Sequence, residues 1–142
     1  MSSVKITIGS TMSAEPKGKY EFTTYGEMTE VNGTWYVRYN ETAATGMEGT
    51  KTTLKWRNDM VTIMRHGTYQ HRQEHRPGLA SQSTYTTPYF SLPLATDTKS
   101  VNIKHDGKKW RLLVAYDIAL GGRPQGNVVL DIRIEEEESS GN

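Results

Sequence analysis

Residues 71–75 read His-Arg-Gln-Glu-His, the spacing in which two histidines grip zinc and a glutamate activates water. That chemistry requires a helix, because only helical geometry stacks residues i and i+4 on one face. A helix over 68–76 would carry Tyr69 as its single large apolar residue, and Pro77-Gly78 would cut it off. As a strand, Tyr69, His71, Gln73 and His75 share one face while Gln70, Arg72, Glu74 and Arg76 share the other. The two histidines then stand about 13 Å apart, at about 3.3 Å per residue. One ion cannot bridge them, so no metal site is expected, and the segment reads as a polar strand near an exposed rim.

A charged residue on an apolar face is the stronger chemical signal. In Val61-Thr62-Ile63-Met64-Arg65, the alternation that turns Val61 and Ile63 inward takes Arg65 with them. An arginine cannot shed its charge, so it needs acceptors when buried. The same parity gives Tyr39 and Glu41 a shared face with Trp35 and Val37, which makes Glu41 the natural counterion. Two readings stay open. Arg65 and Glu41 form a structural pair near one end of the fold, or Arg65 clamps an anion in a cavity walled by Tyr39, Tyr85, Tyr116 and Trp56. The candidate ligand-binding set is therefore Tyr39, Glu41, Trp56, Arg65, Tyr85 and Tyr116.

No catalytic constellation can be placed by spacing. Asp117 and His66 take the outward parity of their strands, although a small isomerase or cyclase using Glu41 as base and Arg65 as anion clamp remains a conceivable variant. His105 beside a turn has no apolar pocket signature for haem, and no cofactor is expected. Gly33-Thr34-Trp35 matches a lipocalin-like Gly-x-Trp, but it follows a hairpin turn and reads as turn glycine plus core tryptophan.

The elements that must position these residues are strands. Period-two alternation runs through Val4–Ile8, Tyr20–Phe22, Trp35–Tyr39, Thr52–Trp56, Trp110–Leu120 and Val128–Ile134. Asn32-Gly33, Asn58-Asp59, Pro77-Gly78 and Asp106-Gly107 mark tight turns. Longer loops are expected over 43–49 and 121–126. No window forms an amphipathic helix. About 8–10 antiparallel strands in one domain point to a sandwich or a barrel, and a barrel leaves no free sheet edge.

The chain has 142 residues, enough for one core. Its 17 lysines and arginines face 16 acids; without Glu135–Glu138 the acids fall to 12, leaving a mildly basic body and an acidic tail. That excess looks scattered, so nucleic acid is not expected as a partner. There are no cysteines, hence neither disulfides nor a thiolate zinc site. No signal-peptide core or membrane-length apolar run is present, so the expected location is cytoplasmic, away from membranes. The barrel domain is expected over 1–136, with a disordered polar tail over 137–142. A homodimer is compatible with the sequence.

Five segments in order, YVRYNET (36–42), TKTTLKW (50–56), VTIMRHG (61–67), YTTPY (85–89) and AYDI (115–118), resemble the YwiB-like family of small bacterial cytosolic proteins. The resemblance covers nearly the whole chain and implies a single antiparallel up-and-down calycin-like β-barrel, shaped like lipocalins and streptavidin. It implies no substrate, because the family has no assigned activity. Phe90 stands where the family pattern has glycine, and the segment around His75 lacks the family's aromatic residue. Together these readings give an expected function: binding a small anionic or amphipathic molecule inside the barrel without chemistry. The alternative is a filled barrel whose Arg/His-rich surface over 65–76 docks protein or RNA.

Overall fold

The computed structural model describes residues 1–13 and 18–137. Ten strands follow one another: β1 (Ser2–Met12), β2 (Gly18–Val31), β3 (Thr34–Asn40), β4 (Thr50–Arg57), β5 (Met60–Gly67), β6 (His71–His75), β7 (Ala80–Thr86), β8 (Ser91–Asp106), β9 (Lys109–Leu120) and β10 (Arg123–Glu136). A three-residue 3-10 turn, Ala43–Thr45, is the one helical element among the described residues, so no helix there is long and apolar enough to cross a membrane.

All pairing is antiparallel, and the order along the sheet is β6-β5-β4-β3-β2-β1-β10-β9-β8-β7. Each strand thus neighbours its sequence neighbour, and β1 pairs with β10 to join the chain's two ends. The remaining seam, between β6 and β7, is lightly stitched. One backbone bridge joins Gln70 to Thr86, and the Ser83 hydroxyl donates to the Arg72 carbonyl at 2.7 Å. At the far end Gly78 N donates to Thr98 O, and Thr98 N to Leu79 O. The result is a nearly closed up-and-down barrel.

Turn chemistry sets the registers. Asn32 and Gly33 both take positive φ, 52° and 84°, as a two-residue hairpin between twisted strands requires. Gly121 and Gly122 do the same, so the long loop expected over 121–126 is a tight turn and β10 begins at Arg123; the irregularity moves into the strand, between Pro124 and Gly126. A second register shift at Thr98/Ser100 lets Leu94, Thr96 and Thr98 share a face with Val101 and Ile103 in one sixteen-residue strand. Where β2 crosses β3, Gly26 lacks a side chain for a steric reason: a Cβ there would overlap the Arg38 carbonyl oxygen.

The core is the barrel interior. Val4, Ile6, Val37, Leu54, Val61, Leu112, Val114, Ile132 and Ile134 are buried, joined by Trp56. β10 ends at Glu136, and Glu137 N donates to Ser3 O. The rest of the expected disordered tail, 138–142, lies outside the described residues.

Candidate functional site

Hairpin registers bring four polar side chains into one inward row: Tyr39 lies opposite Thr52, Thr52 opposite Arg65, and Arg65 opposite His71. Glu41, one step beyond β3, turns into the same space with its side chain fully buried. Its carboxylate accepts from the Thr52 hydroxyl, from Thr45 Oγ1 at 2.9 Å and from Arg65 Nε at 3.5 Å.

Arg65 points inward, its side chain 20% exposed. Its Nη1 donates to His71 Nε2. A guanidinium only donates, so Nε2 must be the acceptor, and the neutral ring then carries its proton on Nδ1. Burial, reinforced by the Arg65 charge, holds His71 down to about 3, so the ring is neutral. Its Nδ1–H has no hydrogen-bond partner among the described residues, and neither do Tyr39 Oη and Trp56 Nε1. The Tyr39 hydroxyl sits near enough to Glu41 and Thr52 for both to influence its ionisation, yet completes a hydrogen bond with neither. Burial, then the Glu41 charge, raises its pKa. Arg65 Nη2 also finds no protein acceptor among the described residues. The row therefore holds surplus donors.

Further along β6 the interior stays polar. His75, wholly buried, sits between Thr98 Oγ1 on Nδ1 and Gln73 Oε1 on Nε2, both at 2.9 Å. Burial lowers it to about 4. Its ring packs on Tyr116 with centroids 4.4 Å apart, and burial pushes the Tyr116 phenol up to about 12. Tyr85 covers the His71 ring at 5.4 Å and is half-buried.

The candidate residues thus divide into groups. Tyr39, Glu41 and Arg65 form one cluster, Tyr85 flanks it through His71, and Tyr116 belongs to the His75 set. Trp56 lies apart, four residues along β4 from Thr52, in a cluster with Trp35 (6.4 Å) and Trp110 (5.3 Å). His105 stacks on Trp110 at 3.8 Å, at the exposed edge of that cluster. Asp117 and His66 lie outside the barrel interior, Asp117 beside Lys99.

The segment 71–75 is a strand, but its histidine face is not the exposed rim that its polarity suggested: His71, Gln73 and His75 are buried. Sequence parity had already put these three on one face. With no apolar residue in β6, nothing local said which way that face turned. The deciding signal was the neighbour, because β5 presents Val61, Ile63 and Arg65 inward directly opposite.

Residues 4–132 match the family described as Domain of unknown function (DUF1934). The chain is 31% identical over 101 residues to the "Uncharacterized beta-barrel protein YwiB" of Bacillus subtilis (strain 168), an alignment spanning 71% of this chain and 70% of that protein. The crystal structure of the ywiB protein from Bacillus subtilis superposes with a TM-score of 0.85 at 24% identity, over 96% of this chain and 93% of that one. The structural likeness carries the barrel, and the sequence match carries kinship. This chain therefore belongs to the DUF1934 family of YwiB-like β-barrel proteins.

Proposed function

We propose that this protein is a calycin-like, cytoplasmic binding barrel that holds a small, oxygen-rich molecule, anionic or amphipathic, against Tyr39, Arg65 and His71 without transforming it. The observation that carries the reading is the surplus of buried donors. A buried N–H or O–H left unpaired costs about 1–3 kcal/mol, and buried polar groups nearly always have partners. Two such atoms, Tyr39 Oη and His71 Nδ1, stand in the Arg65 row and fit a site completed by acceptors from a ligand; the third, Trp56 Nε1, lies in the separate tryptophan cluster. Glu41 neutralises Arg65 and already accepts three hydrogen bonds, which suits a counterion that fixes the arginine in place. An open groove of about 480 Å³ runs over Tyr39 where the pairing of β2 and β3 stops, lined by Tyr25, Glu27, Arg38, Lys51 and Glu137, with the Tyr39 hydroxyl buried beneath it. Tyr85 and Tyr116 extend the wall, and Trp56 supplies an apolar surface deeper in the barrel.

The test compares protein purified from its native source with the same protein unfolded and refolded to strip what it carries. A ligand that binds only the folded state raises stability by mass action. Wild type is expected to lose stability on stripping. In Tyr39→Phe the difference is expected to shrink, while the stripped variant matches stripped wild type or exceeds it by up to about 1 kcal/mol, having lost an unpaired hydroxyl. Identical stability of native and refolded wild type would count against the reading.

A further inference from the structure

The outer face of β3–β6 is built differently from the rest of the surface. It displays Arg38 on β3, Lys51, Lys55 and Arg57 on β4, His66 on β5 and Arg72 on β6, with Arg76 just beyond. Glu74 is the only acid on that face of these four strands, and Arg72 holds it at 2.8 Å. Glu27 on β2 lies across from Arg38 at the border. None of Arg38, Lys51, Lys55, Arg57 and Arg76 is ion-paired among the described residues. On the opposite half acids are interspersed among the cations: Lys99 meets Asp97 and Asp117, Lys109 meets Glu135, Asp131 takes both Arg111 and Arg133, and Lys5 and Lys104, which have no ion pair among the described residues, share one pocket with Asp106 and Glu135. The near-neutral total charge hides this segregation: the scattered basic excess expected from the sequence is gathered on one face.

Apart from Glu74 on Arg72, what supports these cations is uncharged. Arg38 and Lys55 lie 5.5 and 5.8 Å from the centre of the half-buried Tyr36 ring. Arg72 Nη1 and Arg76 Nη2 rest against the sulfurs of Met64 and Met60, at 3.7 and 3.6 Å. Aromatic rings and thioethers orient a guanidinium without neutralising it. Four of the six cations are arginines, which present planar forks suited to phosphate oxygens. They are spread over three strand spacings, about 14 Å, and step along each strand by about 6.7 Å per outward residue. Such a field suits a chain of repeated anionic groups better than a single carboxylate.

We propose that this face docks nucleic acid through its phosphate backbone, independently of any ligand inside the barrel. The test is fluorescence anisotropy of a labelled 20-nucleotide oligo-uridine with the full chain at 50 and 200 mM NaCl. If about four phosphates are neutralised, affinity should fall about 50-fold between the two salts. Lys55→Gln with Arg57→Gln should weaken binding about tenfold at the lower salt. Lys5→Gln with Lys104→Gln, which removes the same charge from the opposite half, should leave affinity within about twofold of wild type if backbone contact is confined to this face. Three results would overturn the proposal: no binding at 50 mM salt, equal weakening by the two double variants, or displacement of the RNA by equimolar oligoglutamate, which would point to an acidic protein segment instead.

Discussion

Replacing Arg65 with methionine strands the Glu41 carboxylate in a place no water reaches, since its side chain is fully buried. Removing one member of a buried ion pair costs about 3–5 kcal/mol. Glu41 would keep the Thr45 and Thr52 hydroxyls, and the Arg65 head group was partly solvated to begin with, so the lower end, about 3 kcal/mol, applies. Glu41→Gln is milder, about 1 kcal/mol, because the arginine it releases is 20% exposed and can turn its charge toward solvent. The double variant has no stranded charge, so the two effects should not add: a coupling of about 2 kcal/mol would leave it about 1 kcal/mol more stable than Arg65→Met alone. Urea unfolding followed by the fluorescence of Trp35, Trp56 and Trp110 measures this, and with a slope of about 2 kcal/mol/M the Arg65→Met midpoint should drop by about 1.5 M. Additive effects, or a greater cost for Glu41→Gln than for Arg65→Met, would refute the burial argument.

Acid should weaken the barrel through its histidines. His71 and His75 have folded pKa values of about 3 and about 4, below the ordinary 6.5, so the unfolded chain takes up their protons first. Their stabilisation is complete above pH 6.5 and is lost as pH falls toward the folded values. For His75 alone that loss is about 3 kcal/mol by pH 4, and unfolding midpoints from pH 7.5 to 4.5 should fall more steeply in wild type than in His75→Gln; parallel slopes would contradict the assignment. At the β6–β7 seam, hydrogen exchange should be about a hundredfold faster for β6 amides turned toward β7 than for amides of β1 or β9, and Ser83→Ala should widen the gap. Uniform protection around the barrel would mean the seam is closed by contacts stronger than its single backbone bridge between β6 and β7 and the few bonds to Ser83 and Thr98.

Much of this arrangement was legible in the sequence. Val61, Ile63 and Arg65 sit in one short uninterrupted strand, and Tyr39 and Glu41 continue the parity of Trp35 and Val37, so their shared interior followed from period two alone. Asn32-Gly33 fixed one hairpin register directly. What could not be read were properties set by neighbours. The face of β6 turns inward because β5 lies beside it, Gly121-Gly122 forms a tight turn because the irregularity can move to Gln125, and the bulge after Thr98 carries the inward parity of β8 from even to odd positions. The separation of Trp56 from Arg65 also needed the strand's length, because parity reports the face and not the level. Overall charge, being a sum, could not reveal which half of the barrel carries it.

The central claim, that the unpaired donors beside Arg65 await a ligand, is tested most directly by native mass spectrometry of the protein purified from its native source, alongside Arg65→Met/Glu41→Gln. Wild type is expected to retain a small molecule in a volatile buffer, and the variant to fly bare. Wild type carrying nothing, with both proteins at their polypeptide masses, would contradict the claim.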